Sequence, residues 1–144
     1  MKINVLCSWL LQVAVALIIA RFGVDKWVGA TTSVELFASL KMEPAGRYLV
    51  GSLELLAALL LLIPTGIAWG ALLAWGLMSG ALIAHLTRLG MEGPMLVMTA
   101  LAGFNWLASA TILILHKDQI EFVRSMLARG NDQHDPDISR NPRN

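Results

Sequence analysis

Residues 48–86 read YLVGSLELLAALLLLIPTGIAWGALLAWGLMSGALIAHL, and this stretch decides the fold. It contains two apolar blocks, 48–63 and 67–86, with only the three residues 64–66 (Pro-Thr-Gly) between them. The hydrocarbon core of a bilayer is about 30 Å thick, and roughly 20 helical residues cross it. Because lipid offers the backbone no hydrogen-bond partners, each block is predicted to be a transmembrane helix. The short connection makes the two helices an antiparallel hairpin.

Two further apolar blocks flank this hairpin, at about residues 3–22 and 95–115. The connection between the third and fourth blocks is also short, so the helices are expected to run up-down-up-down with both termini on one side. The predicted fold is therefore an all-α, four-helix transmembrane bundle formed by residues 1–116. The composition agrees, since 56% of the 144 residues are apolar and only 15% are charged.

The connection between the first two spans, residues 23–46, is too long for a simple turn. Thr32 and Glu35 have the spacing of a helix-capping box, and apolar residues surround them. We predict a short amphipathic helix that lies at the interface or over the mouth of the bundle. A solvated loop is the alternative. At the other end, residues 117–144 form a polar tail that is predicted to be disordered after about residue 130.

Ionisable residues gather at the bundle end away from the termini. Because the spans alternate in direction, the topology alone places residues from three helices on the same membrane side. The fourth span adds an asparagine, which should face the bundle interior because lipid would leave its amide unpaired. Together they are predicted to form a charged or ligand-binding cavity: Arg21, Asp25, Lys26, Arg47, Glu54, His85, Arg88 and Asn105.

Glu54 carries the most specific expectation. It lies about 10 Å further into the membrane than Arg47, at a rise of 1.5 Å per residue. An acidic residue at that depth needs a partner, a proton or a cavity. Arg21 is predicted to be its ion-pair partner, and Lys26 is the second candidate. A purely structural ion pair and a cavity that binds a head group or carries a proton are both consistent with this pattern.

The third span contains two pairs of glycines four residues apart, Gly66 with Gly70 and Gly76 with Gly80. Small residues at this spacing let helices approach closely in lipid. We predict that they pack this helix against its neighbours inside the bundle. A homodimer through the same glycines is the alternative.

Several classes of function find no support in the sequence. The net charge is only +1 and no basic stripe is present, so no nucleic-acid partner is expected. His85 has no second His or Cys at ligand spacing, so no metal site is predicted. Neither a nucleotide-binding loop nor a nucleophile elbow occurs, and no cofactor is evident from a motif.

The sequence around the charged residues resembles the DoxX family of small four-helix membrane proteins. Residues 22–27 (FGVDKW) are similar to that family's glycine-x-x-lysine step after helix one, and residues 46–56 (GRYLVGSLELL) are similar to its glycine-and-glutamate signature in helix two. The resemblance covers about residues 5–115. The positions that carry over are Gly23, Lys26, Gly51 and Glu54.

This resemblance implies a multi-pass protein of the bacterial inner membrane, in contact with lipid and associated with thiosulfate:quinone oxidoreduction or with thiol-redox and oxidative-stress complexes. We therefore expect either a non-catalytic subunit of a membrane redox system or a partner of that system that binds a small molecule such as a quinone, with a redox protein as the candidate partner. A quinone-linked oxidoreductase and a structural scaffold are the alternatives. Positive charges are nearly balanced between the two sides, and cytoplasmic termini are favoured.

Overall fold

The computed structural model describes residues 2–89 and 93–119, without the side chains of residues 2–5, 88–89 and 94. This part of the chain is helical and contains no strand. The α-helices are α1 (Lys2–Trp27), α2 (Thr31–Ser39), α3 (Ala45–Leu62), α4 (Ile67–Ala84) and α5 (Pro94–Leu115). A wider, π-helical turn (His85–Leu89) continues α4 without a break.

Four of these helices are long and apolar enough to cross a membrane, namely α1, α3, α4 with its π-helical turn, and α5. Their surfaces expose large apolar side chains such as Leu17, Leu59 and Leu107. Such surfaces suit contact with acyl chains. The predicted all-α, four-span fold is confirmed. The predicted disorder after about residue 130 lies outside the described residues.

The four spans form a square in cross-section. α1 packs mainly against α3 and α5, and α4 packs against the same two helices, so α1 and α4 occupy opposite corners. Fully buried side chains from every span meet at the centre. They include Val15 and Ile19 of α1, Leu61 of α3, Met78 of α4 and Ile112 of α5.

Helix α1 is longer than predicted, because it continues past Phe22 to Trp27. It ends where Gly29 adopts a left-handed conformation (φ 70°), which costs a glycine little. The N–H of Ala30 then donates to the carbonyl of Asp25 at 2.9 Å, as in a Schellman C-cap. The charged residues after Phe22 therefore lie on the helix itself, and each has a fixed direction around its axis.

Helix α2 confirms the short helix predicted in the first connection, although the proposed capping box is wrong. The helix begins at Thr31 with Ala30 as its N-cap, and no side chain caps it. The N–H groups of Ser33 and Val34 donate to the Ala30 carbonyl at 2.8 and 3.0 Å. Thr32 is thus inside the first turn, too late in the sequence to act as the cap.

The two glycine pairs of α4 have different roles. A Cβ on Gly70 would lie 2.7 Å from the backbone nitrogen of Leu61, so α3 and α4 touch near their connection. Gly66 likewise lies against Leu60. A Cβ on Gly76 or Gly80 would meet no atom within 4 Å. The predicted packing inside the bundle is therefore confirmed for the first pair and wrong for the second, which borders open space.

Candidate ligand cavity and its ion pair

Two glycines bring α1 and α3 into direct backbone contact. A Cβ on Gly23 would lie 3.0 Å from the Gly51 carbonyl oxygen, and one on Gly51 would lie 3.2 Å from the Gly23 carbonyl oxygen. On each helix an ionisable residue follows the glycine by three positions, and residues three apart share a helix face. This close crossing therefore directs Lys26 of α1 and Glu54 of α3 towards each other.

Lys26 and Glu54 form a buried ion pair. The lysine Nζ lies 2.9 Å from both carboxylate oxygens and donates a hydrogen bond to Oε1. The glutamate side chain is only 3% exposed and the lysine side chain 15%. Each charge alone would be costly at this depth, so the pair lets both persist inside the bundle.

The lysine is held by the same turn of α1. Its Nζ lies 5.6 Å from the centroid of the Phe22 ring, a cation–π contact. It also approaches the Phe22 carbonyl oxygen at 3.4 Å. These contacts hold the ammonium group against the carboxylate of Glu54, at the wall of an adjacent cavity.

The predicted pairing of Glu54 with Arg21 is wrong. Arg21 instead contacts Asp25, one turn along the outer face of α1, and its side chain is 68% exposed. The reason is that α1 stays helical through this region. At 3.6 residues per turn, Arg21 points about 140° away from Lys26 around the axis. The second candidate, Lys26, is the partner that the structure shows.

Arg47 is buried, but its contacts lie at the junction between α1 and α3 and not in the cavity wall. Its Nε donates to both carboxylate oxygens of Glu43 at 2.8 and 3.0 Å, and one terminal nitrogen donates to the main-chain carbonyl of Lys26. The guanidinium also stacks 4.3 Å from the centroid of the Tyr48 ring. Glu43 was not predicted as a partner of Arg47, although opposite charges four residues apart often pair.

A cavity of about 960 Å³ lies beside the ion pair, within the size range of small-molecule sites. All five helices contribute to its walls, and α2 covers its mouth. Most of the lining is apolar. The polar residues that line it are Asp25, Lys26, Thr32, Ser33, Glu54, His85 and Thr87. Thr32 and Ser33 had not been expected there, because their side chains face inward only once α2 folds over the bundle.

His85 is buried where α4 passes into the wider π-helical turn. Its Nδ1 atom is buried and has no hydrogen-bond partner among the described residues. A neutral imidazole carries one donor and one acceptor nitrogen, so this side chain can bond to a ligand in the cavity. π-helical turns within α-helices are often found at functional sites.

Of the two remaining predicted residues, Asn105 does not join the cavity wall. Asn105 is fully buried on α5, which confirms that it faces the interior, but the cavity reaches only Ala102, one turn away. Neither polar atom of the Asn105 amide has a hydrogen-bond partner among the described residues. The side chain of Arg88 lies outside the described residues. In residues 2–89 and 93–119, no three His, Cys, Asp or Glu side chains are grouped so as to hold a metal ion.

The fold and site define a multi-pass membrane protein of four spans, with a buried Lys–Glu pair beside an internal cavity. The chain belongs to the DoxX-like family, which matches residues 10–109, more than two thirds of its length. That range contains both glycines and both charges of the α1–α3 crossing. No significant match was found among curated proteins or among solved structures.

Proposed function

We propose that this protein is a non-catalytic membrane subunit that binds a quinone in the cavity and supports a redox-protein partner. One observation carries the proposal: the Lys26–Glu54 pair and His85 line the same largely apolar cavity. Apolar pockets with a few convergent polar groups are the usual sites for small molecules. The redox association rests on the resemblance to the DoxX family. The bacterial inner membrane and cytoplasmic termini are part of the same proposal.

The residues present fit a quinone head group. Its two carbonyl oxygens accept hydrogen bonds, and the cavity offers the Lys26 ammonium and the His85 ring as donors. The Glu54 carboxylate only accepts hydrogen bonds, so it would bond to a hydroxyl of the reduced quinol rather than to the quinone. A bound quinone would supply two-electron redox chemistry. The protein would orient the ring and limit its contact with water.

The ion pair suits this role because it is polar without carrying a net charge. A single buried charge would oppose a lipid-soluble ligand, whereas a paired ammonium and carboxylate present one donor and one acceptor in a low-dielectric space. Lys26 and Glu54 enter the cavity from helices held together at Gly23 and Gly51. The site therefore has a rigid polar wall and a mainly apolar remainder.

Binding of a benzoquinone with a decyl tail to the purified protein tests this proposal. Hydrogen bonds to charged groups contribute about 1.5–3 kcal/mol. Lys26→Gln, which removes the charged donor, is therefore expected to raise the Kd about tenfold or more. His85→Phe removes a neutral donor that contributes about 0.5–1.5 kcal/mol, so it should raise the Kd about two- to tenfold. Glu35→Gln removes a charge from the exposed face of α2, outside the cavity lining, and it should bind like the wild type. Equal affinity of all four proteins would refute a quinone site here.

The supporting role needs its own experiment. Purification in mild detergent, followed by mass spectrometry of bound proteins, should recover a redox enzyme together with this chain. The purified chain alone should transfer no electrons from a thiol or thiosulfate donor to the quinone. Turnover by the isolated chain would instead favour an oxidoreductase in its own right.

A further inference from the structure

We infer that the cavity takes a ligand with one long hydrocarbon tail, held along α4 and inserted sideways from the lipid. This inference rests on the proposed function for its head group and adds the site of the tail. The lining residues of α4 and its π-helical turn extend from Trp69 to Thr87. At 1.5 Å per residue, this distance is about 27 Å. It nearly equals the bilayer's hydrocarbon thickness of about 30 Å.

The ionisable residues of the cavity lie at one end of that length. Every ionisable residue in its lining lies towards the α2 end, where Glu54 and His85 are found. The α4 lining from Leu72 to Ala84 is apolar throughout. An amphipathic molecule would therefore place its head at the ion pair, and its tail would run towards Trp69.

Two glycines make room for the tail. Gly76 and Gly80 both line the cavity, and a Cβ on either would meet no atom within 4 Å. Both positions are exposed, as are their neighbours Leu72 and Ile83. Since exposed residues in the middle of a spanning helix face lipid, the cavity opens to the acyl chains at this point. A tail can enter there without crossing the polar mouth.

The polarity of the lining favours a single-tailed ligand over a partner helix. The ionisable residues lie at one end of the lining, and the rest of it is apolar. A partner helix would have to supply a polar group opposite Glu54 and His85 at membrane depth, where such a group is costly. A tailed ligand supplies that group as its head, so it is the occupant to which the lining is complementary.

The experiment compares two benzoquinones with the same head group, one bearing a methyl group and the other a decyl tail. The wild type should bind the decyl compound at least tenfold more tightly. Gly80→Leu adds a side chain to the groove at a position where a Cβ meets no atom within 4 Å, so it should weaken decyl binding at least tenfold and change methyl binding less than twofold. Gly103→Leu is the matched control, because Gly103 also borders open space but does not line the cavity.

The outcomes separate this inference from the proposed function. Equal affinity for the two quinones, or equal effects of Gly80→Leu and Gly103→Leu, overturns the tail site even if quinone binds. If neither quinone binds, yet acyl lipids co-purify with the wild type and are lost from Gly80→Leu, the tail site stands and the quinone head fails. A Gly80→Leu protein that changes from dimer to monomer while keeping full decyl affinity assigns this face to a dimer and overturns the inference.

Discussion

Among the charged residues, Glu54 is the one whose burial depends most on an ion-pair partner. Its carboxylate is 3% exposed and has one ammonium group, that of Lys26, within ion-pair distance. Removal of one member leaves the other charge buried and uncompensated, which is more costly than replacement of both by apolar side chains. The Arg21–Asp25 pair differs, because its arginine side chain is 68% exposed and solvent screens the interaction, so it contributes little.

The first stability prediction follows from this difference. Glu54→Ala should lower the free energy of unfolding by about 3–5 kcal/mol, because Lys26 is left as a buried unpaired cation. The double variant Lys26→Met with Glu54→Leu should recover most of that loss while losing quinone binding. Thermal melting in detergent measures both effects, with Arg21→Gln as the control that leaves stability nearly unchanged. A double variant no more stable than Glu54→Ala would contradict this account.

At the scale of the helices, glycines decide where two helices touch and where they leave space. Gly23 and Gly51 hold α1 on α3, and Gly70 holds α4 on α3. Gly76 lies further along α4, where no neighbour approaches. Helix association in lipid depends on close packing, so the first three positions should tolerate a methyl group poorly.

Gly70→Ala and Gly76→Ala form a matched pair on α4. The first places a Cβ 2.7 Å from the Leu61 backbone nitrogen, and the resulting strain should destabilise the protein by about 1–3 kcal/mol. The second adds a methyl group in open space and removes a helical glycine, so it should be neutral or stabilising by up to about 1 kcal/mol. Melting temperatures of the two variants test the difference. If both shift equally, the packing assigned to α4 is wrong.

For the whole molecule, the up-down-up-down order places both termini on one membrane side and the ion pair with α2 towards the other. This arrangement requires that all four helices cross the membrane. If one of them did not cross, the helices after it would run in the opposite direction. The chain has a single cysteine, Cys7, so a Cys7→Ser background allows each side to be labelled separately.

In that background, Val28→Cys and Lys117→Cys should react with a membrane-impermeant maleimide from opposite sides. Val28 is exposed just after α1, and Lys117 is exposed just after α5. With cytoplasmic termini, only Val28→Cys is labelled in intact cells, and Lys117→Cys requires permeabilisation. Labelling of both from the same side would contradict the four-span topology. A reversed pattern would keep the topology and overturn only the orientation.

Much of this architecture could be predicted from the sequence. The lengths of the apolar blocks set the number of crossings, and the three-residue connection at 64–66 makes the central hairpin unavoidable. Alternating direction then places Lys26, Glu54 and His85 towards one end of the bundle. These conclusions need only the thickness of the bilayer and the hydrogen-bonding requirement of the backbone.

The tertiary structure decided which residues meet. The sequence favoured Arg21 over Lys26 as the partner of Glu54, but α1 remains helical to Trp27, and this extension directs Arg21 outward and Lys26 towards Glu54. The same holds for Gly70 and Gly76, which share a sequence pattern but not a neighbour. A hydrophobic block determines that a helix crosses the membrane, whereas its end and its rotation about its own axis depend on the helices packed against it.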